Sequence, residues 1–203
     1  FAEVDGQLQR SETAFADGEG AVLTLQYGPA ATVWRMNFGW RRRKKESVRG
    51  FMMNSVIGHW VGGVDDGNGE AEAESEAPPD RTPPQRIVPY VEDRRNILIV
   101  RPHHRLGVLG AATLTTLQYA LKRGIEALYQ LEESELMAEP LPTRDNRQSI
   151  LLFEAAEGGA GVLTRLATEP VALSAVATKA LELMHFMAPP AGQPWSSKAL
   201  SQE

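Results

Sequence analysis

The chain has 203 residues, 42% of them apolar and 23% charged, with a formal net charge of −5 at pH 7. That length suits one well-buried domain with a tail, and the acidic balance excludes polyanion binding by bulk attraction, leaving only a local basic patch for such a role. Cysteine is absent, which excludes disulfides and thiolate metal sites within these residues.

The histidines, His59, His103, His104 and His185, show no metal-ligand spacing with neighbouring carboxylates, so no metal and no cofactor are expected. No apolar run approaches the length of a membrane span and no signal peptide follows Phe1, so a cytoplasmic protein with no membrane partner is expected.

In chain order, AVLTLQY (21–27) and ATVWRMN (31–37) each alternate with the period of a strand and flank a GPA stretch, which predicts a hairpin. WRRRKKESVRG (40–50) is a charged excursion, too polar for a core strand. GFMMN (50–54) and IGHW (57–60) predict a second, shorter strand pair. Residues 65–80, DDGNGEAEAESEAPPD, hold seven acidic and no basic residues, and with Pro83 and Pro84 they predict an irregular acidic loop through about Gln85.

Beyond this loop, NILIVRP (96–102) is a continuous apolar run, the pattern of a strand covered on both faces. Leu114, Leu117, Leu121, Ile125 and Leu128 recur at helical spacing and predict an amphipathic helix over 112–131, with Lys122, Arg123, Glu126 and Gln130 on its polar flank. Gly124 inside that helix costs about 1 kcal/mol relative to alanine, which points to close packing there. SELMAEPLP (134–142) and SILLFE (149–154) predict strands, and helices follow over 161–168 and 170–186.

The fold class is therefore mixed α/β: an N-terminal β-hairpin region, then a layered sheet with packed helices in the order β-α-β-β-α-α. The expected organisation is a β-rich region with a basic arm (1–64), an acidic loop (65–86), an α/β region (87–188) and a polar tail (189–203), together forming one domain.

Two stretches carry candidate chemistry. FEAAEGGAGVLTRL (153–166) places Glu154, Glu157, Gly158, Gly159 and Gly161 at a strand-to-helix corner. Glycine turns that open helices bind anions. Here, however, no lysine and serine or threonine follow the last glycine, and the G-x-G-x-x-G spacing fails, so neither a P-loop nor a dinucleotide fingerprint is present. A packing corner, a bound anion, and an acid–base pair formed by the two glutamates remain open.

The second stretch is the run Arg41, Arg42, Arg43, Lys44, Lys45, flanked by Arg35 and Arg49 and interleaved with Trp34, Phe38 and Trp40. Cations among aromatic rings suit an unpaired nucleic-acid strand. A solvated arm facing the acidic loop or a partner protein is the alternative.

Several stretches together resemble a known family: TVWRMNFGWRRRK…GF (32–51), IVPYVEDRRNILIVRP (87–102), TLQYALKRGIEALYQLEESEL (116–136), EPLP (139–142) and ILLFEAAEGGAGVLTRL (150–166). They are similar to the helicase-associated, MrfA-type zinc-binding domain, formerly a domain of unknown function. That domain accompanies DEAD/DEAH-box superfamily 2 helicases and DrmB-like companion proteins of DISARM phage defence.

The resemblance implies a non-catalytic accessory role beside a helicase motor, fused or separate, contacting DNA or the motor. It leaves a hydrolytic enzyme at the EGGAG corner, or a protein-interaction scaffold, as alternatives. The family carries a cysteine group just after the position of His185 and Phe186. Here the sequence runs MAPPAGQPWSSKALSQE, which implies either a fragment ending before that motif or a divergent member without it.

Overall fold

The structure, a computed structural model, describes residues 11–17, 20–39, 48–61, 83–156, 159–169, 171–187 and 196–197. In chain order its strands are β1 (Ser11–Asp17), β2 (Gly20–Met36), β3 (Phe51–Asn54), β4 (His59–Trp60), β5 (Gln85–Ile87), β6 (Tyr90–Pro102), β7 (Leu136–Pro142), β8 (Arg147–Glu154), β9 (Phe186–Met187) and β10 (Ser196–Ser197). The helices are α1 (Ala111–Tyr129), α2 (Val162–Thr168) and α3 (Ala172–Leu183), with a single 3-10 turn over His104–Leu106. The chain divides into two units: residues 1–33 with 93–203, and residues 34–92.

The larger unit is built on a sheet of order β1-β2-β6-β8-β7, in which the β1/β2, β6/β8 and β7/β8 pairs are antiparallel. Alternation along each strand sends Leu25, Leu98, Val100, Leu136, Ile150 and Leu152 into one buried cluster. Leu121 and Ile125 of α1, Val162, Leu163 and Leu166 of α2, and Leu173 and Val176 of α3 complete it. Ala31, Ile97 and Phe153 form a second cluster with Val33, Ile99, Met137 and Leu151 against it. Apolar demand on both faces explains why NILIV and SILLF read as unbroken runs.

The mixed α+β class and the β-α-β-β-α-α order hold from residue 90 to residue 183. β7 lies at the sheet edge, where Pro140 and Pro142 leave no ladder donor missing from a central strand.

One expectation is overturned. Residues 21–27 and 31–37 do not fold back on each other; they are one strand, β2, of 17 residues. Leu25 belongs to the first cluster, with Leu23 and Tyr27 packed on it, whereas Ala31 and Val33 belong to the second. All five positions are odd, and uninterrupted alternation would put them on one face. Ala30, with φ of 48°, resets the phase between the halves. The GPA stretch is thus a kink within a strand.

Two smaller differences accompany it. β6 starts at Tyr90, ahead of the apolar run, and the acidic stretch ends before Gln85, which opens β5. In α1, Glu126 is buried, not on a polar flank, and both Lys122 and Arg123 pair with it. Gly124 meets its expected role: a Cβ there would lie 2.8 Å from the Val176 carbonyl oxygen and 3.0 Å from Ala180 Cβ, so α1 and α3 touch at this residue.

The smaller unit holds a three-stranded sheet, β4-β3-β5, antiparallel throughout. Asn54 at the end of β3 is buried, and its Oδ1 accepts from the backbone N–H of Val56 (3.1 Å) and Ile57 (3.4 Å). Gly58 N donates to the Asn54 carbonyl at 2.8 Å, closing the β3–β4 turn. An asparagine that binds the backbone two residues on is a turn-former by its own chemistry. No helix among the described residues is long and apolar enough to cross a membrane.

Candidate functional site

β8 delivers Glu154 to the corner at its last residue, with 1% of its surface exposed. Oε1 accepts from the Val162 N–H at 2.8 Å and the Leu163 N–H at 3.3 Å, the first two residues of α2. Oε2 accepts from Asn96 Nδ2 at 3.0 Å. Asn96 Oδ1 in turn accepts from the backbone N–H of Ala30 at 3.3 Å. The network therefore runs from the kink in β2, through β6, to the start of α2.

The glycines make room for it. Gly159 has φ of 55°, and a Cβ there would overlap the Glu154 carboxylate. Gly161 caps α2 with φ of 72°, and no atom would meet its Cβ. One glycine serves close approach and both serve backbone conformation.

This answers why an anion-binding turn sits here. The first helical N–H groups of α2, which an external phosphate would use, are taken by the protein's own carboxylate. A buried carboxylate with both oxygens engaged is a structural bond, and it presents nothing to a substrate. Glu157 and Gly158 lie outside the described residues.

The basic arm is described only at its feet. Trp40, Arg41, Arg42, Arg43, Lys44 and Lys45 lie outside the described residues. On one side, Trp34 is 59% exposed and Arg35 is exposed. On the other, the guanidinium of Arg49 lies 4.9 Å from the ring centre of Phe38. Gly50 N donates to the Phe38 carbonyl at 2.9 Å, and Asn37 Oδ1 accepts from Gly39 N at 3.1 Å, so the two feet are tied together. Gly50 has φ of 84°, and a side chain there would collide with the backbone of Ile87.

A groove of about 660 Å³ between α1 and α3 is lined by Thr115, Tyr119, Arg123, Glu126, Leu183 and Met184 among others. Its one buried acid, Glu126, is already paired, and no histidine lines it. It assembles no nucleophile with a base.

Sequence reasoning passed over Asn96, Asn54 and Gly50. Asn54 carried a readable signal, an Asn-Ser pair closing the apolar run FMM with a glycine, Gly58, four residues on. Asn96 carried none, since its partners lie 58 and 66 residues away.

A family profile matches part of the chain. Residues 117–187 match the MrfA Zn-binding domain. The family read from the sequence and the family matched are the same. The matched segment takes in most of α1, all of β7, β8, α2 and α3, and β9, and so contains the Glu154 corner.

A crystal structure of the DUF1998 helicase MrfA bound to DNA is also similar to this chain, at 11% identity and a TM-score of 0.38. The likeness covers 82% of this chain and 19% of that one. No curated protein matches.

The residues present do not fit the zinc in the family's name. The 203 residues contain no cysteine, and the matched segment has one histidine, His185, whereas structural zinc sites are built from four cysteine or histidine ligands. Among the described residues no three histidine or acidic side chains come together to hold a metal.

Proposed function

We propose that the chain is a non-catalytic accessory domain that works beside a superfamily 2 helicase motor, fused to it or as its subunit, and contacts DNA through the 34–49 arm. The family match over residues 117–187 carries this reading, because the MrfA that names the family is described as a helicase bound to DNA. A helicase of phage defence is one setting for such a domain. The consumed carboxylate of Glu154 supports an accessory role over a hydrolytic one.

The arm supports the DNA contact. Five consecutive cations repel one another, and phosphates relieve that repulsion while releasing condensed counterions. Residues 65–80 compete for the arm as an internal polyanion. The expected behaviour is weak, sequence-independent, salt-sensitive binding that strengthens when residues 65–80 are deleted.

Retention of single- and double-stranded DNA across a salt series tests this. Replacing Arg41, Arg42 and Arg43 with alanine removes up to three phosphate contacts, lowering the slope of log affinity against log salt by about 2–3. If the loop-deleted protein retains no DNA at low salt, the arm docks protein and the DNA reading fails.

A further inference from the structure

The smaller unit exposes apolar side chains to a degree its little sheet does not require. Val56 is 65% exposed and Ile57 48%, both in the β3–β4 turn, and Trp60 follows at 50%. Isolated exposed apolar residues are ordinary, but a cluster on one hairpin marks a contact surface.

The turn is also stiff. Three hydrogen bonds from its backbone converge on Asn54, two on the side chain and one on the carbonyl, and Asn54 itself is buried. Trp60 lies opposite Met53 in the ladder, and Phe51 braces its ring edge-to-face at 5.7 Å, while half of the residue stays in solvent. The hairpin therefore holds two aliphatic side chains at its end and an indole beside them.

Charge identifies the occupant. Between residues 34 and 92 there are nine basic and nine acidic residues, and seven of the acids fall within 65–80. Outside that stretch the unit is strongly basic, which disfavours a basic protein surface and favours a polyanion. An apolar tip in a stretch of sequence this rich in basic residues suits one polyanion feature in particular, the end of a base-paired stack where the strands part. There the last pair offers a flat apolar face between two lines of phosphate. Aliphatic side chains that replace stacked bases are a known way to open a step, and a half-exposed tryptophan beside them stacks on the base released.

We infer that the β3–β4 hairpin is a wedge for the junction between paired and unpaired nucleic-acid strands, with Val56 and Ile57 at its edge and Trp60 as the stacking platform. This rests on the DNA contact proposed above and names the form of DNA engaged. β3 runs directly out of the basic arm at Gly50. Its four residues span about 13 Å at ~3.3 Å each, or about four base steps along one strand. Arg49 at the foot thus holds a phosphate while the tip meets the junction.

The test uses the full chain with residues 65–80 present and deleted, and three DNA probes: a fork, a blunt duplex and a single strand. The fork carries a fluorescent adenine analogue at its first paired position. The unaltered hairpin is expected to bind the fork about tenfold more tightly than the blunt duplex, equivalent to about 1.4 kcal/mol, and to raise the analogue's fluorescence. Replacing Val56 and Ile57 together with serine, at exposed positions that leave the fold intact by circular dichroism, should bring that preference to within about twofold and abolish the fluorescence rise. Single-strand binding should survive that change and weaken about tenfold with Trp60→Ala.

Equal binding to all three probes, unchanged by the serine pair, overturns the wedge and leaves the DNA contact standing. Failure to bind any probe at low salt overturns both. If the serine pair leaves DNA binding intact but abolishes association with a helicase motor, the hairpin is a protein interface and the wedge is wrong.

Discussion

Glu154 is the residue on which the corner turns, because three donors from two elements depend on one buried carboxylate. Glu154→Ala removes the acceptor and leaves the two α2 N–H groups buried and unsatisfied, at about 1–3 kcal/mol for each, while the half-buried Asn96 amide can reach water. The expected loss in urea denaturation is at least ~2 kcal/mol. Glu154→Gln keeps an oxygen for the helix N–H groups but turns an amide toward the Asn96 amide, so about half that loss is expected. An alanine variant as stable as the parent would falsify the network's structural role. Ala30 offers the opposite sign. It holds φ of 48°, a conformation that costs a non-glycine residue roughly 1–2 kcal/mol, so Ala30→Gly should stabilise the protein by about 1 kcal/mol in the same assay. At this scale the sequence disclosed that glycines were needed at 159 and 161. It did not disclose that the bound anion was internal, because an acidic residue at a strand end looks the same whether it caps a helix or faces solvent.

The α1–α3 crossing shows two local terms of opposite sign, and magnitude decides between them. Gly124→Ala improves helix propensity by about 1 kcal/mol. The added methyl, however, sits 2.8 Å from the Val176 carbonyl oxygen and 3.2 Å from the Ala180 N. Backbone atoms of a packed helix yield little, and overpacking costs about 1–3 kcal/mol. The net expectation is a destabilised protein with unchanged far-ultraviolet circular dichroism at low temperature; a raised melting temperature would refute the close crossing. α1 and its crossing were legible because leucine periodicity and a costly glycine are local signals, and β7 and β8 were legible for the same reason. β2 was misread as a hairpin for a physical cause. A strand that changes face at a kink and a strand that reverses at a turn both show two alternating runs around Gly-Pro. Only the identity of the partner strands, β1 on one side and β6 on the other, separates them.

For the molecule as a whole, composition sets the outcome of two manipulations. Residues 65–80 carry no large apolar side chain, so deleting them removes no buried core and should move the melting temperature by less than about 2 °C, under ~1 kcal/mol for a domain of this size. A drop of several degrees would mean the acidic stretch contributes to the fold. A strong chelator should likewise leave this chain's melting temperature unchanged, and elemental analysis should find no stoichiometric zinc, since neither thiolate nor a histidine cluster is available to bind it. The basic arm was the most conspicuous feature of the sequence, whereas the β3–β4 tip was not, because solvent exposure of Val56 and Ile57 is a property of the folded turn that apolar letters conceal.

The tied feet of the arm have a consequence for how such a domain can vary. Because the Phe38 carbonyl meets the Gly50 N–H and Arg49 covers Phe38, the segment between them is a closed cassette whose ends do not depend on its contents. Loop closure becomes costlier only slowly, by about 0.6 kcal/mol for each doubling of length. Insertions, deletions or wholesale exchange of charge within residues 40–47 should therefore be tolerated by the three-stranded sheet, making this the natural place for selection or an engineer to retune affinity for a polyanion. Gly50 is the hinge pin of that exchange: the cassette can be rewritten, but any side chain at its exit meets the backbone of Ile87.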